Sequence, residues 1–170
     1  HAFTDSLAAD TWYHVALVWN TDADNVKGYL NGTQVFDETN TTWPSTIATL
    51  TLGAGYSADR HWQGALDDVA LWNVAREEAE VGEDMTGRGT PGTPGLIGYW
   101  PLDETAGDTV RDHSGAQHHG LLGNGTPDAR PEWSADTPPL DPVLRVTFSD
   151  NLAMDTGSVA NPSAYALWAS

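Results

Sequence analysis

The chain has 170 residues and carries 24 acidic against 7 basic side chains, for a formal charge of -17. A field of that sign works against nucleic-acid backbones and anionic membrane surfaces, and leaves multivalent cations, basic surfaces and neutral glycans as partners, or solubility alone as its purpose. With no cysteine and no apolar run near the ~20 residues of a membrane span, the chain has neither a disulfide framework nor a thiolate metal site nor a spanning helix.

The start, His-Ala-Phe-Thr-Asp, lacks Met and any basic or apolar leader, and reads as a cut or processed end. Residues 11–19, T-W-Y-H-V-A-L-V-W, set Tyr13, Val15, Leu17 and Trp19 on one face and Trp12, Ala16 and Val18 on the other, which predicts a strand buried on both sides. Asn31-Gly32 between two β-prone runs predicts a hairpin over about residues 26–37, because both central residues of a type I′ turn need positive φ. I-A-T-L-T-L at 47–52 predicts another strand. The run W-Q-G-A-L-D-D-V-A-L-W-N reads as one more, with Asp67 and Asp68 on opposite faces. A short helix is expected over about residues 76–85, its early glutamates favouring the positive end of the dipole. T-G-R-G-T-P-G-T-P-G at 86–95 has the composition of a flexible loop, either a linker or a long crossover. L-I-G-Y-W-P-L-D-E then opens a strand, and a loop rich in carboxylates and glycine follows. A proline-rich boundary lies at about 135–142, and beyond it V-L-R-V-T-F-S-D and Y-A-L-W-A read as strands of a further domain truncated at Ser170. Two such strands cannot make a stable domain alone.

In order and spacing, W-Y-H-V-A-L-V-W, G-Y-L-N-G, L-T-L-G and W-Q-G-A-L-D-D-V-A-L-W-N-V-A-R-E-E-A-E-V resemble the second half of a bacterial laminin-G-like, concanavalin-A-like jelly-roll domain over about residues 3–85. G-L-I-G-Y-W-P-L-D-E-T-A-G-D-T-V-R-D-H-S-G-A-Q-H-H-G resembles the segment that opens such domains, and that in many relatives also follows the last helix. The tail from V-L-R-V-T-F-S-D is similar to the start of bacterial immunoglobulin-like repeats. The resemblance implies an all-β fold, an antiparallel jelly-roll sandwich over residues 1–138, with a truncated immunoglobulin-like β segment over 139–170. The first half of a jelly roll is missing before His1, so residues 96–135, or another chain, are expected to complete the sandwich. Glu77 stands where relatives often carry a Thr or Ser helix cap.

Relatives often hold a structural calcium ion, and the resemblance implies Asp67 as its best-matched ligand, with Asp103 and Asp112 from the opening segment; Asp68, Glu104 and Asp108 add to the hard-oxygen supply that calcium needs. Solvated turn residues of an acidic protein are the plain alternative. Glycan binding would use loop aromatics and polar side chains, and Trp43, Tyr56, Arg60 and His61 are the candidates. Trp62 lies where relatives place a core aromatic. Asp112-His113-Ser114 has the residue types of a hydrolase triad, but contiguous residues cannot assemble that geometry. His118-His119, with His113 five residues earlier, has the residue type of a transition-metal site, but adjacent histidines point apart and no Cys or further spaced ligand supports them. Sequons occur at Asn31, Asn40 and Asn124.

The expected function is that of a non-catalytic binding or adhesion module of an exported multidomain bacterial protein, extracellular or at the cell surface, with a glycan or cell-surface partner. The rival expectation is a structural subunit or spacer of an extracellular filament, built from further copies of itself by strand exchange. Neither nucleic acid nor membrane insertion is expected.

Overall fold

The structure is a computed structural model that describes residues 7–39, 46–47, 49–53, 62–87, 89–125, 130–135 and 153–154. Its strands are β1 (Val15–Asn20), β2 (Asn25–Leu30), β3 (Thr33–Thr39), β4 (Thr46–Ile47), β5 (Val69–Trp72), β6 (Leu96–Trp100), β7 (Thr109–Val110), β8 (Gly120–Leu121) and β9 (Ala153–Met154). One helix, α1 (Glu78–Thr86), lies between β5 and β6 in the chain, and a single 3-10 turn covers Leu122–Gly125. The fold is all-β, and among the described residues every pairing is antiparallel except a two-residue parallel contact of β4 with β9.

The predicted hairpin forms as β2 and β3, and its turn has Asn31 at φ +50° and Gly32 at φ +76°, as a type I′ turn requires. The Asn31 side chain also fixes the turn to the strand before it. His14 donates its backbone N–H to Asn31 Oδ1 at 2.9 Å, and Asn31 returns its own N–H to the His14 carbonyl at 2.8 Å. β1 pairs with β2 in register from Val15↔Leu30 to Asn20↔Asn25, giving the order β1-β2-β3. Gly28 faces Phe36 across this sheet, and a Cβ there would meet the Phe36 ring at 2.1 Å. Glycine is required because the ring lies on the backbone itself.

The expected long strand at 62–73 is shorter than its alternation implied. Only Val69–Trp72 is extended, because Asp68 turns the chain at φ +49° just ahead of it. The two carboxylates therefore do not sit on opposite faces of a strand. Residues 49–52, read as a strand, have no sheet pairing; Leu50 and Leu52 pack against the core.

β5 is closed by β6, in register Val69↔Trp100, Ala70↔Tyr99 and Leu71↔Gly98, with a bulge before Trp72↔Leu96. Val69, Ala70 and Leu71 are 0% exposed. Val69, Leu71 and Trp100 join Trp19, Val26 and Val110 in one core, on which Leu17, Phe36, Leu102, Leu122 and Trp133 also pack. The core thus draws on residues from Leu17 to Trp133, and residues after 96 are integral to it. The other face of β5–β6, with Ala70, Trp72, Leu96 and Tyr99, forms a second cluster. Helix α1 packs Val81 against Ala16, Val18 and Tyr29 on the other face of β1–β2. Trp100 lies over Gly98, where a Cβ would be 2.3 Å from its ring.

The helix begins without a Ser or Thr cap because Glu80 reaches back, accepting the Glu77 backbone N–H at 2.8 Å. Arg76 anchors the same end. Its guanidinium lies 4.1 Å from the Trp72 ring centre, forks onto both Asp84 oxygens at 3.0 and 3.1 Å, and donates to Glu80 at 2.9 Å.

The connection to β6 is not the flexible loop that its composition predicted. Thr93 donates its N–H to the Thr90 carbonyl and Leu96 donates to Thr93, both at 3.1 Å, with Gly92 at φ +81° and Gly95 at φ +86°. These are two successive turns of the Pro-Gly kind, Pro91-Gly92 and Pro94-Gly95, in which proline presets the first position and glycine supplies the positive φ of the second. Composition could not distinguish this from a linker, since the same residues serve both.

Candidate functional site

The best-organised polar region of the fold lies where β6 meets the loop after β7. Asp112 is buried there and accepts four hydrogen bonds: from the Tyr99 N–H at 2.9 Å, the Ser114 N–H at 2.8 Å, the Ser114 hydroxyl at 2.9 Å and the His118 N–H at 2.8 Å. Burial raises the pKa of this carboxyl, but the hydrogen bonds outweigh it and hold it below its ordinary value. The loop is fixed further by the Trp100 indole, which donates to the His118 carbonyl at 2.8 Å, and by His118 Nδ1, which donates to the Ile97 carbonyl at 2.7 Å. His119 Nδ1 accepts the Asp112 N–H at 3.0 Å, which leaves Nε2 as the ring nitrogen that donates.

On the neighbouring face, the Tyr99 hydroxyl donates to Asp68, and the ring meets His113 edge-on at 6.5 Å. Gly89 approaches the same ring so closely that a Cβ would lie 2.8 Å from it.

The expected calcium ligands do not come together as a site. Asp112 has both oxygens occupied by N–H and O–H donors, Asp103 is exposed, and Asp67 is buried beside the Asp68 turn. Among the described residues no group of three or more His, Asp or Glu side chains is arranged to hold a metal ion. A calcium ion would have to displace four donors from Asp112, so these residues do not fit it. Asp108 is likewise engaged, by Arg130 at 2.5 Å, and Glu104 accepts the Arg111 N–H at 2.7 Å.

His118 and His119 turn their Nδ1 atoms to different backbone groups and do not converge. Ser114 donates to Asp112 while the His113 ring faces Tyr99, so the contiguous Asp-His-Ser run forms a turn. Trp43, Tyr56, Arg60 and His61, the glycan candidates, lie outside the described residues, as does the sequon at Asn40. Trp62 is 37% exposed rather than a core aromatic, and lies over Gly64 with its indole donating to the Ala65 carbonyl at 3.2 Å. Of the other sequons, Asn31 is held in the hairpin turn and Asn124 falls in the 3-10 turn.

Sequence reasoning missed Asp112 as an organising residue. The signal was present in D-x-S-G, an aspartate two residues before a serine ahead of a glycine, the pattern of a side chain closing its own turn.

Residues 2–82 match the family model described as the concanavalin A-like lectin/glucanases superfamily, Laminin_G_3. No curated protein and no solved structure matches the chain. The matched stretch covers β1 to β5 and the first half of α1, and stops before β6.

Proposed function

We propose that this chain is a non-catalytic binding module of an exported, multidomain protein, that it closes its β fold within one chain, and that it engages a glycan or another surface component. The likeness of residues 2–82 to laminin-G-like domains, which are typically extracellular binding modules, supports the general role. No helix among the described residues is long and apolar enough to cross a membrane.

The observation that carries the reading is the pairing of β5 with β6 over a core reaching from Leu17 to Trp133. A filament subunit that exchanged strands would leave β5 to a neighbouring copy. Here β6 fills that place, brought round by two Pro-Gly turns that favour closure over extension. Asp112 and Ser114 bond each other while the His113 ring stands against Tyr99, so the three do not form a relay, which favours binding over hydrolysis.

Light scattering over a hundredfold concentration range, with a screen of immobilised glycans, tests this. A monomer that retains one class of glycan supports the module; concentration-dependent polymers would overturn closure within one chain. Residues 1–135 should melt as one cooperative unit, and a chain ending at residue 87 should not.

A further inference from the structure

The loop organised by Asp112 leads from β7 to β8, and these strands pair as Thr109↔Leu121 and Val110↔Gly120. Carrying the register one pair further sets Arg111 opposite His119. The ribbon alternates cleanly. Val110 and Asp112 are buried, whereas Thr109, Arg111, His119 and Leu121 are exposed and share the other face, since residues two apart on a strand lie on one side. Leu121, 51% exposed, is one of two large apolar side chains so placed among the described residues.

The charge of this face is unusual for the chain. Two neighbouring carboxylates are engaged, Asp108 with Arg130 and Asp112 inward with its four donors, while Glu104 accepts the Arg111 N–H through one oxygen and keeps the other buried, off the exposed face. Arg111 has no ion-pair partner among the described residues. His119, held by the Asp112 N–H on Nδ1, keeps its Nε2–H as a donor. The result is a surface with a guanidinium fork, an imidazole N–H donor, a hydroxyl and an apolar patch, and no carboxylate of its own.

We propose that this face of the β7–β8 ribbon binds the carboxylate of an acidic, uronate-containing glycan. The inference rests on the reading of the chain as a binding module. Arg111 supplies the bidentate grip that suits a carboxylate, His119 and Thr109 meet ring hydroxyls, and Leu121 covers the apolar C–H face of the sugar. Because the loop is already held by hydrogen bonds, little ordering accompanies binding. The overall charge of -17 opposes a polyanion at long range, but at physiological salt charges act over only about 8 Å, so the local face governs contact.

The test measures retention of the full chain on polygalacturonate, dextran and polyglutamate in about 0.15 M salt, comparing the parent with R111S, L121S and K27S, with melting curves as a check on folding. Lys27 pairs across β1–β2 with Val18 and across β2–β3 with Asp37, in a different sheet from the ribbon, and its loss changes the net charge as much as that of Arg111. The parent and K27S are expected to bind polygalacturonate alike and dextran not at all, R111S to bind at least tenfold more weakly and L121S about threefold, all melting together. Equal binding by R111S and K27S would overturn the proposal, and so would equal retention on polyglutamate, which would assign the face to acidic peptides. Binding only to neutral glycans, unchanged in R111S, would overturn this site and leave the module reading intact; no binding to any glycan or surface component would sink both.

Discussion

The hydroxyl of Tyr99 donates to the carboxylate of Asp68 across 31 residues of sequence, with both side chains only 4% exposed. It joins the turn that starts β5 to the middle of β6, the strand that closes it. Replacing Tyr99 with Phe keeps the ring and removes the donor, leaving a buried carboxylate unsatisfied. Such a loss costs about 2–3 kcal/mol. Urea unfolding should show Tyr99→Phe destabilised by that much with an unchanged slope; a loss below about 0.5 kcal/mol would mean that water replaces the phenol.

Asp112 gives the fold a defined response to acid. Its carboxyl is held below the usual range in the folded state, so it stabilises the fold at pH values above its unfolded pKa, ~3.9, and that contribution is lost as the pH falls through the lower folded value. Asp112→Asn, whose amide turns an N–H₂ toward groups that are themselves donors, is expected to cost about 2–4 kcal/mol at pH 7. The difference from the parent should be constant between pH 7 and about pH 5 and shrink below about pH 4. A difference independent of pH down to pH 2 would contradict the role of the charge.

The paired Pro-Gly turns separate two costs of losing a glycine. At Gly92, φ +81° with nothing within 4 Å of an added Cβ, alanine meets only backbone strain, about 1 kcal/mol. At Gly95, φ +86°, the added Cβ also strikes the Val74 side chain at 2.6 Å. Gly95→Ala should therefore melt lower than Gly92→Ala, by several degrees for each additional kcal/mol. Equal melting points would show that Val74 moves aside freely.

Chelation is expected to leave the melting temperature unchanged. A structural ion present at a hundred times its Kd would contribute about 2.7 kcal/mol, a shift calorimetry reads easily. A drop of that size on adding chelator that persists in Asp112→Asn would place a calcium ion on other carboxylates, and one abolished in Asp112→Asn would show that Asp112 exchanges its hydrogen-bond donors for calcium.

Much of this was legible in the sequence because it is local. Asn31-Gly32 announces its turn by the φ values it needs, and the two-faced run through Ala16 and Val18 shows a strand covered on both sides. What was not legible depends on contacts distant in the chain. The alternation through residues 66–72 looked like a long strand, but the strand starts only after Asp68, where positive φ is tied to a hydrogen bond from Tyr99. The acidic residues of the 103–112 stretch looked like oxygen donors for a metal, and nothing in their order revealed that Asp112 faces four N–H and O–H groups. The ribbon face became visible only when Thr109 and Leu121 were seen to pair, which brings Arg111 beside His119.

The late position of β6 has a consequence for how the protein is made. Leu71 and its neighbours in β5 have their sheet partner only at residues 96–100, and Trp133, which packs on the same core, comes later still. At a synthesis rate of about 5–20 residues per second, roughly 3–12 s separate the emergence of β5 from that of the last residues that cover it. Throughout that interval the apolar face of β1–β3 lacks part of the layer it packs on, so the nascent chain carries exposed core surface until the segment around Trp133 arrives.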